Sequence, residues 1–246
     1  AKADPDRRAT ATRYAAGIAL AQLFWVSLLF LPPLGLTAFL ALFGLGVLIE
    51  LAVPAIAERK ANTPWHRHHI IERYGLLTII VLGEVLLATF MALKGAFTSG
   101  VDWALIEIAV ASLVVMAAMW WLYFCDEDHL DGTELGNALT WGYGHFVVFG
   151  AAAAVGAGFA VMVDVAADHA EIGRDVALAS VGIPLALYIA ALWLIRDRRI
   201  LNGVAGMVLL PFSVLVLAAT LLGLGVWSLA ALSVLCVVLR NGLARR

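Results

Sequence analysis

The third apolar segment of the chain carries the densest set of side chains that could do chemistry. It reads HHIIERYGLLTIIVLGE from His68 to Glu84 and includes Glu72 and Arg73. Arg73 and Glu84 are eleven residues apart, a spacing that returns to nearly the same helix face about 16 Å further along the axis. Ionisable groups inside a membrane are energetically costly and mark ion pathways or proton relays. The segment therefore predicts polar side chains at two depths in the bilayer, with Glu84 near the midplane of the membrane.

Neighbouring segments offer partners for these groups. Glu50 lies about 12 Å inside the second segment by helical rise, where it could pair with Arg73, and His145 falls in the same half of the fifth segment. Glu84 has no basic residue at its depth, and burial favours its neutral acid form. We predict a proton or cation relay formed by Glu50, Glu72, Arg73, Glu84 and His145. For Glu50 and Arg73, a purely structural ion pair is the alternative.

Three side chains at the start of the third segment suggest a second kind of site. On a helix, His68 and His69 lie one turn before Glu72 and share its face. Imidazole and carboxylate groups at this spacing can bind a divalent metal. Histidines at the start of a helix are also commonly solvated, and no HEXXH protease motif is present. We predict no catalytic residue and no cofactor, with a metal at His68, His69 and Glu72 as an alternative.

The composition defines the elements that must position these residues. The chain is 63% hydrophobic and 14% charged, whereas soluble domains carry about 25% charged residues. Roughly 20 apolar residues span a bilayer as a helix. We predict an all-α polytopic bundle of eight spans, preceded by a polar leader at 1–13 and followed by a basic tail at 241–246. The predicted spans, within the domain 14–240, are roughly 14–31, 34–57, 70–93, 103–124, 136–164, 176–195, 203–223 and 225–240.

The distribution of lysine and arginine predicts the orientation, because basic residues stay on the cytoplasmic side. With alternating spans, thirteen of the sixteen basic residues fall on one side. The other side holds only Lys94 and Arg174, and Arg73 lies within a span. Both termini are therefore predicted to be cytoplasmic. The thirteen are Lys2, Arg7, Arg8, Arg13, Arg59, Lys60, Arg67, Arg196, Arg198, Arg199, Arg240, Arg245 and Arg246.

Small and aromatic residues predict how the spans pack and where they meet the interface. Gly150, Ala154 and Gly158 form a small-xxx-small run, which allows close helix packing in lipid. Aromatic residues at the end of the fourth segment, including Tyr123, and at the start of the fifth, including Trp141, are interpreted as interfacial anchors. The two cysteines, Cys125 and Cys236, are interpreted as small apolar packing residues.

These motifs together resemble the bacterial low-temperature-requirement A family of integral membrane proteins. The resemblance rests on HHIIERYGLLTIIVLGE, on WWLYF and on WGYGHFVVFGAAAAVGAG, across the third to fifth segments. It marks His69, Glu72, Arg73, Gly83, Glu84, Gly144 and His145 as positions of the family pattern, without assigning roles to them. The family usually carries an earlier membrane region with an acidic, Phe-rich E–L–F–F–D–L–V–F motif, which is absent here. We therefore expect a shortened member or a piece of a longer chain.

Three functions are compatible with these patterns. The first is a proton- or cation-coupled transporter or channel that uses the predicted relay. The second is a metal-dependent intramembrane enzyme or lipid-modifying protein, and the third is a structural or stress-adaptation membrane protein without transport or catalysis. We favour the first, in a multi-pass protein of the bacterial inner membrane. Its expected partners are the lipid bilayer, a small ion or solute, and a second copy of the chain, whereas scattered basic residues argue against nucleic acid.

Overall fold

The computed structural model describes residues 8–59, 66–96, 103–126 and 135–244. In this part of the chain every regular element is helical. The sixth long helix, Arg174–Leu192, continues through a π-helical turn, Trp193–Asp197, and a last helical turn, Arg198–Ile200. A 3₁₀ turn, Ala205–Met207, precedes the next helix, Leu209–Leu221. The helices are α1 Arg8–Leu28, α2 Leu36–Ala57, α3 Arg67–Ala96, α4 Trp103–Phe124, α5 Leu135–Ala166, α6 Arg174–Leu192, α7 Leu209–Leu221 and α8 Val226–Ala244.

The length and apolar composition of the helices identify a membrane protein. Within the described residues, six helical stretches are long and apolar enough to cross a bilayer, and they correspond to α2 to α6 and to α8. The apolar stretch Ala205–Leu221, which contains α7, is shorter, and α1 is not among the six. The prediction of an all-α, multi-pass bundle is thereby confirmed. The count of eight spans and the cytoplasmic termini stay predictions.

Two compact units make up the chain. The N-terminal unit comprises Ala1–His66 and Glu134–Leu139, and the C-terminal unit comprises Arg67–Thr133 and Thr140–Arg246. The helices of each unit contact one another more than they contact the other unit.

In the N-terminal unit, α1 packs against α2 as an antiparallel pair. Close approach depends on glycine, because a Cβ atom on Gly46 would lie 2.6 Å from the Trp25 ring. At the other end of the pair, the Tyr14 hydroxyl donates a hydrogen bond of 2.7 Å to the Glu58 carboxylate. The guanidinium of Arg13 donates to the Ala57 carbonyl oxygen at the end of α2.

In the C-terminal unit, α4 packs against α3 and α8, while α7 packs against α6 and α8. The α6–α7 contact is close, since a Cβ atom on Gly182 would overlap the side chain of Thr220. Fully buried apolar side chains such as Val115, Val181 and Val216 form the core between these helices. This packing brings the ends of α4, α6 and α8 together.

Candidate functional site

The ionisable residues predicted on α3 lie on its exposed face. Glu72, Arg73 and Glu84 are all exposed, whereas Thr78 and Val85 lie on the opposite, buried face. Arg73 lines a groove of about 320 Å³ between α3 and α5. The relay roles of these three residues stay a prediction.

Glu50 lies on α2 in the N-terminal unit and has a local partner. The side-chain amide of Gln22 on α1 donates a hydrogen bond of 3.4 Å to its carboxylate. Arg73 belongs to the C-terminal unit, so a Glu50–Arg73 ion pair remains a prediction.

The residues of the predicted metal site lie at the exposed start of α3. His69 Nδ1 is 3.7 Å from Glu72 Oε2, and the two side chains are 69% and 59% exposed. His68 is exposed as well. In the part of the chain that the structure describes, no group of three His, Cys, Asp or Glu side chains is placed to hold a metal ion. Metal binding by these residues therefore stays a prediction.

His145 is buried among aromatic rings in the C-terminal unit. Its Nδ1 lies 2.7 Å from the Trp141 carbonyl oxygen, which can only accept, so Nδ1 carries the proton. Its Nε2 then accepts a hydrogen bond of 3.0 Å from the Tyr123 hydroxyl. The Tyr74 ring packs edge-on against the imidazole at 4.7 Å. These contacts hold a neutral histidine in a single tautomer and orientation.

The interpretation of Trp141 and Tyr123 as interfacial anchors is wrong, because both side chains are buried. Their side chains are 1% and 2% exposed, respectively, because each packs against His145 inside the unit. The indole N–H of Trp141 is buried and has no hydrogen-bond partner among the described residues. By contrast, Trp120 and Trp121 at the end of α4 are exposed, as expected of anchors.

Only part of the small-residue run on α5 lies at a close helix contact. A Cβ atom on Gly158 would overlap the Ser180 carbonyl of α6, and the Ser180 hydroxyl lies 3.3 Å from the Gly158 carbonyl oxygen. A Cβ atom on Gly150 would meet nothing within 4 Å, and Ala154 is partly buried. Gly156, outside the predicted run, packs against the backbone of Val85 on α3.

A four-charge cluster of Asp126, Arg196, Asp197 and Arg240 joins the ends of α4, α6 and α8. Arg196, Asp197 and Arg240 are 2%, 0% and 1% exposed. Asp197 Oδ1 accepts hydrogen bonds from Arg196 Nε at 2.6 Å and from Arg240 Nη2 at 3.1 Å. Its Oδ2 accepts another from Arg240 Nε at 3.0 Å. Two guanidinium groups therefore share one buried carboxylate. Asp126 contributes the second negative charge of the cluster and forms an ion pair with Arg240.

The remaining donors of Arg196 bind the end of α4. Its Nη1 donates to the carbonyl oxygens of Leu122 and Tyr123 at 2.6 and 3.1 Å. The last carbonyls of a helix have no partner within it and carry its negative dipole end, so a guanidinium there is favourable. Arg196 Nη2 is also buried, and it has no partner within the described ranges.

Cys125 lies next to the cluster, between the last residue of α4 and Asp126. Arg240 Nη1 donates a hydrogen bond of 2.8 Å to its sulfur atom. Burial raises the pKa of the Cys125 thiol, although the nearby Arg196 and Arg240 guanidinium groups oppose the shift. The sulfur therefore accepts this hydrogen bond as a neutral thiol at pH 7.

The π-helical turn at the end of α6 explains how two consecutive residues both enter the cluster. Successive residues of an α-helix point about 100° apart, so neighbours rarely share a buried site. The wider turn over Trp193–Asp197 brings both Arg196 and Asp197 inward, in keeping with the frequent use of π turns at functional sites. The Trp193 indole N–H donates to the Gly206 carbonyl oxygen at 3.1 Å and secures this turn.

The sequence interpretation missed the cluster because it ended the sixth span at 195 and placed Arg196 and the residues after it in the following connection. One signal was available, namely a single aspartate within the basic run RDRR, directly after an apolar span. An acidic residue among arginines at a helix end is typical of local ion pairing. The pairing with Arg240, 43 residues further along the chain, leaves no local pattern.

Helices of membrane length around a buried network of charges define a polytopic α-helical membrane protein. The sequence model of the bacterial low temperature requirement A protein family matches residues 1–241. The chain belongs to this family, which confirms the resemblance. Comparison with curated proteins and with solved structures finds no match.

Proposed function

We propose that the protein moves protons or small cations across the bilayer. The observation that carries this proposal is the four-charge cluster. Its ion pairs hold the ends of α4, α6 and α8 together, and an ion that competes for one of the charged groups can weaken this contact. Asp126 is its most exposed member, at 30%. It lies with Arg240 and Cys125 at a pocket of about 150 Å³. A proton or cation that binds Asp126 there competes with Arg240 and loosens the tie between α4 and α8.

The predicted relay residues supply the intramembrane part of the same proposal. Glu84 lies on the exposed apolar face of α3, far along the helix from Glu72 and Arg73. A carboxyl group on a membrane helix is costly to keep charged and readily exchanges a proton. His145 and Tyr123 add a hydrogen-bonded pair deeper in the C-terminal unit. Glu50 contributes a carboxylate in the N-terminal unit.

The proposal includes the topology of eight spans with both termini in the cytoplasm of a bacterial cell. The distribution of basic residues supports it, because the connections after α2 and α6 and the end of α8 are all basic. The apolar stretch Ala205–Leu221 has a length of about 26 Å by helical rise, close to the bilayer core of about 30 Å. In this orientation the four-charge cluster lies at the cytoplasmic end of α4, α6 and α8.

Flux measurements in proteoliposomes test the proposal. A pH or cation gradient is imposed, and internal pH or cation concentration is followed with a trapped dye. We expect Glu84→Gln to abolish flux while the protein stays folded, because the amide cannot exchange a proton. Asp126→Asn should also reduce flux, since it removes the carboxylate for which Arg240 and the ion compete.

The matched control is Glu171→Gln, which removes an exposed carboxylate from the connection between α5 and α6 and should leave flux unchanged. Flux no greater than in protein-free liposomes, for protons, sodium and potassium alike, would contradict the proposal. Unchanged flux in Glu84→Gln would remove Glu84 from the pathway.

A structural role is the second candidate, and the hydrogen bonds from Arg196 to the Leu122 and Tyr123 carbonyls favour it. These bonds cap α4 with a side chain of α6, as expected of a cluster that only fixes helix packing. In that case, substitutions in the cluster lower stability and the wild-type protein shows no flux. The two candidates are therefore separated by the same proteoliposome measurement.

A further inference from the structure

A cavity in the C-terminal unit lies at the opposite end of α4 from the four-charge cluster. It has a volume of about 410 Å³ and is formed by the start of α4, the end of α5, the start of α6 and the turn between α7 and α8. Along α4, Ala104 at the cavity and Leu122 at the cluster are separated by about 27 Å of helical rise. The two features are therefore at different ends of the unit.

The cavity has an apolar floor. Ile108, Leu178 and Val226 line it and are themselves almost fully buried, and Met162 adds a flexible apolar side chain. A volume of this size falls within the range of pockets that hold small organic ligands. An apolar floor of this kind favours a hydrocarbon group over a fully hydrated ion.

The mouth of the cavity is charged. Glu107 on α4 and the neighbouring Arg174 and Asp175 on α6 line it, and all three are exposed. The site thus presents two carboxylates and one guanidinium, contributed by two different helices. These groups match a zwitterion whose ammonium binds the carboxylates and whose phosphate binds the guanidinium.

The turn between α7 and α8 keeps one wall of the cavity free of side chains. Gly223 and Gly225 line the cavity, and their φ angles are 66° and 81°. Residues other than glycine rarely adopt this conformation. A Cβ atom on Gly223 would lie 3.5 Å from Asp175 Oδ1, so this glycine leaves the carboxylate accessible from the turn.

We propose that this cavity binds a phospholipid with a primary ammonium headgroup. The ammonium would lie at Glu107 and Asp175, the phosphate at Arg174 and the start of an acyl chain on the apolar floor. A primary ammonium donates hydrogen bonds to carboxylates, whereas a trimethylammonium group lacks N–H and favours aromatic faces. Among the described residues that line the cavity, none is aromatic. The inference is independent of the transport proposal.

Native mass spectrometry of the purified full chain with short-chain lipids tests this inference. Phosphatidylethanolamine, phosphatidylcholine and phosphatidylglycerol of equal chain length are titrated separately, and free phosphoethanolamine is added as a fourth ligand. We expect phosphatidylethanolamine to bind roughly tenfold more tightly than the other three, a factor typical of one charge-assisted hydrogen bond. Equal binding of the three lipids, or of free phosphoethanolamine, would overturn the proposal.

Substitutions at the mouth locate the site. The double variant Glu107→Gln and Asp175→Asn should lose the preference for phosphatidylethanolamine, and the matched variant Glu171→Gln should keep it. Glu171 is a nearby exposed carboxylate that does not line the cavity. A second variant, Leu178→Trp, fills the floor and should weaken phosphatidylethanolamine binding with the charges intact. Unchanged preference in the folded double variant would place the lipid elsewhere and overturn the proposal.

Discussion

At the scale of single residues, Asp197 is the member of the four-charge cluster on which the others depend. Its two oxygens accept three hydrogen bonds from Arg196 and Arg240. Burying a charge is costly unless pairing and hydrogen bonds offset the loss of water. Both guanidinium groups would lose their shared counter-charge if this carboxylate were neutralised, and Asp126 contacts only one of them.

We therefore predict that Asp197→Asn destabilises the folded protein by about 3–5 kcal/mol, the range for breaking a buried ion pair. Asp126→Asn should cost less, because that side chain is 30% exposed. Unfolding in detergent, followed by tryptophan fluorescence during titration with a denaturing detergent, measures both. The double variant Asp197→Asn and Arg240→Gln should be less destabilised than the sum of the single variants. Additive effects would argue against the pairing.

At the scale of helices, close contacts depend on where small residues face a neighbouring backbone. Gly158 packs against the Ser180 carbonyl, while a side chain on Gly150 would enter open space. Both residues belong to the same small-xxx-small run, so the sequence pattern alone does not separate them. In lipid, such backbone contacts are a main source of helix association.

Gly158→Val should consequently destabilise the protein by about 1–3 kcal/mol through overpacking. Gly150→Val is the matched control, since it introduces the same side chain on the same helix without a clash, and its effect should be much smaller. The midpoint of thermal unfolding in detergent compares the two variants. An equal loss of stability in both would show that the α5–α6 contact differs from the one described.

The helices also show how far the sequence could predict this protein. The apolar segment predicted at roughly 103–124 corresponds to the helix α4, Trp103–Phe124, because Asp102 and Asp126 flank it in the sequence. Hydropathy ended the sixth segment at 195, although the helical structure continues to Ile200. Hydropathy treats each charge as solvated, so charges that pair inside the protein shorten the predicted helix. This is one reason why the four-charge cluster was not predicted. The other is that its members come from three helices, which only the folded structure brings together.

At the scale of the whole molecule, the asymmetry of basic residues is the main guide to orientation. The connection between α5 and α6 carries Asp168 and Glu171, and the nearest basic residue of the Lys or Arg type is Arg174 at the start of α6. The helical continuation at the other end of α6 contains the run RDRR. Positively charged connections are retained in the cytoplasm. The two connections should therefore lie on opposite sides of the membrane.

Cysteine labelling in intact cells tests this orientation. In a variant with Cys125→Ser and Cys236→Ala, Glu171→Cys should react with a membrane-impermeant maleimide. Asn202→Cys, which is also exposed, should react only after the cells are permeabilised. If only Asn202→Cys were labelled in intact cells, the orientation would be the opposite of the one predicted. If both variants were labelled, the two positions would lie on the same side of the membrane, which would contradict a single crossing by α6 between them.

The π-helical turn in Trp193–Asp197 also bears on which insertions and deletions the chain can tolerate. A π turn accommodates one more residue than the α-helical turn it replaces. Deleting a single residue there would let α6 continue as a regular helix of nearly the same length. Side chains before and after the turn would keep nearly the same relative orientation, because the wider turn has absorbed the extra residue. Within the turn, however, Arg196 and Asp197 would lie about 100° apart on a regular α-helix, and they could no longer both enter the cluster with Arg240. The helix would keep a length sufficient to cross a bilayer, while the arrangement that brings the charges together would be lost.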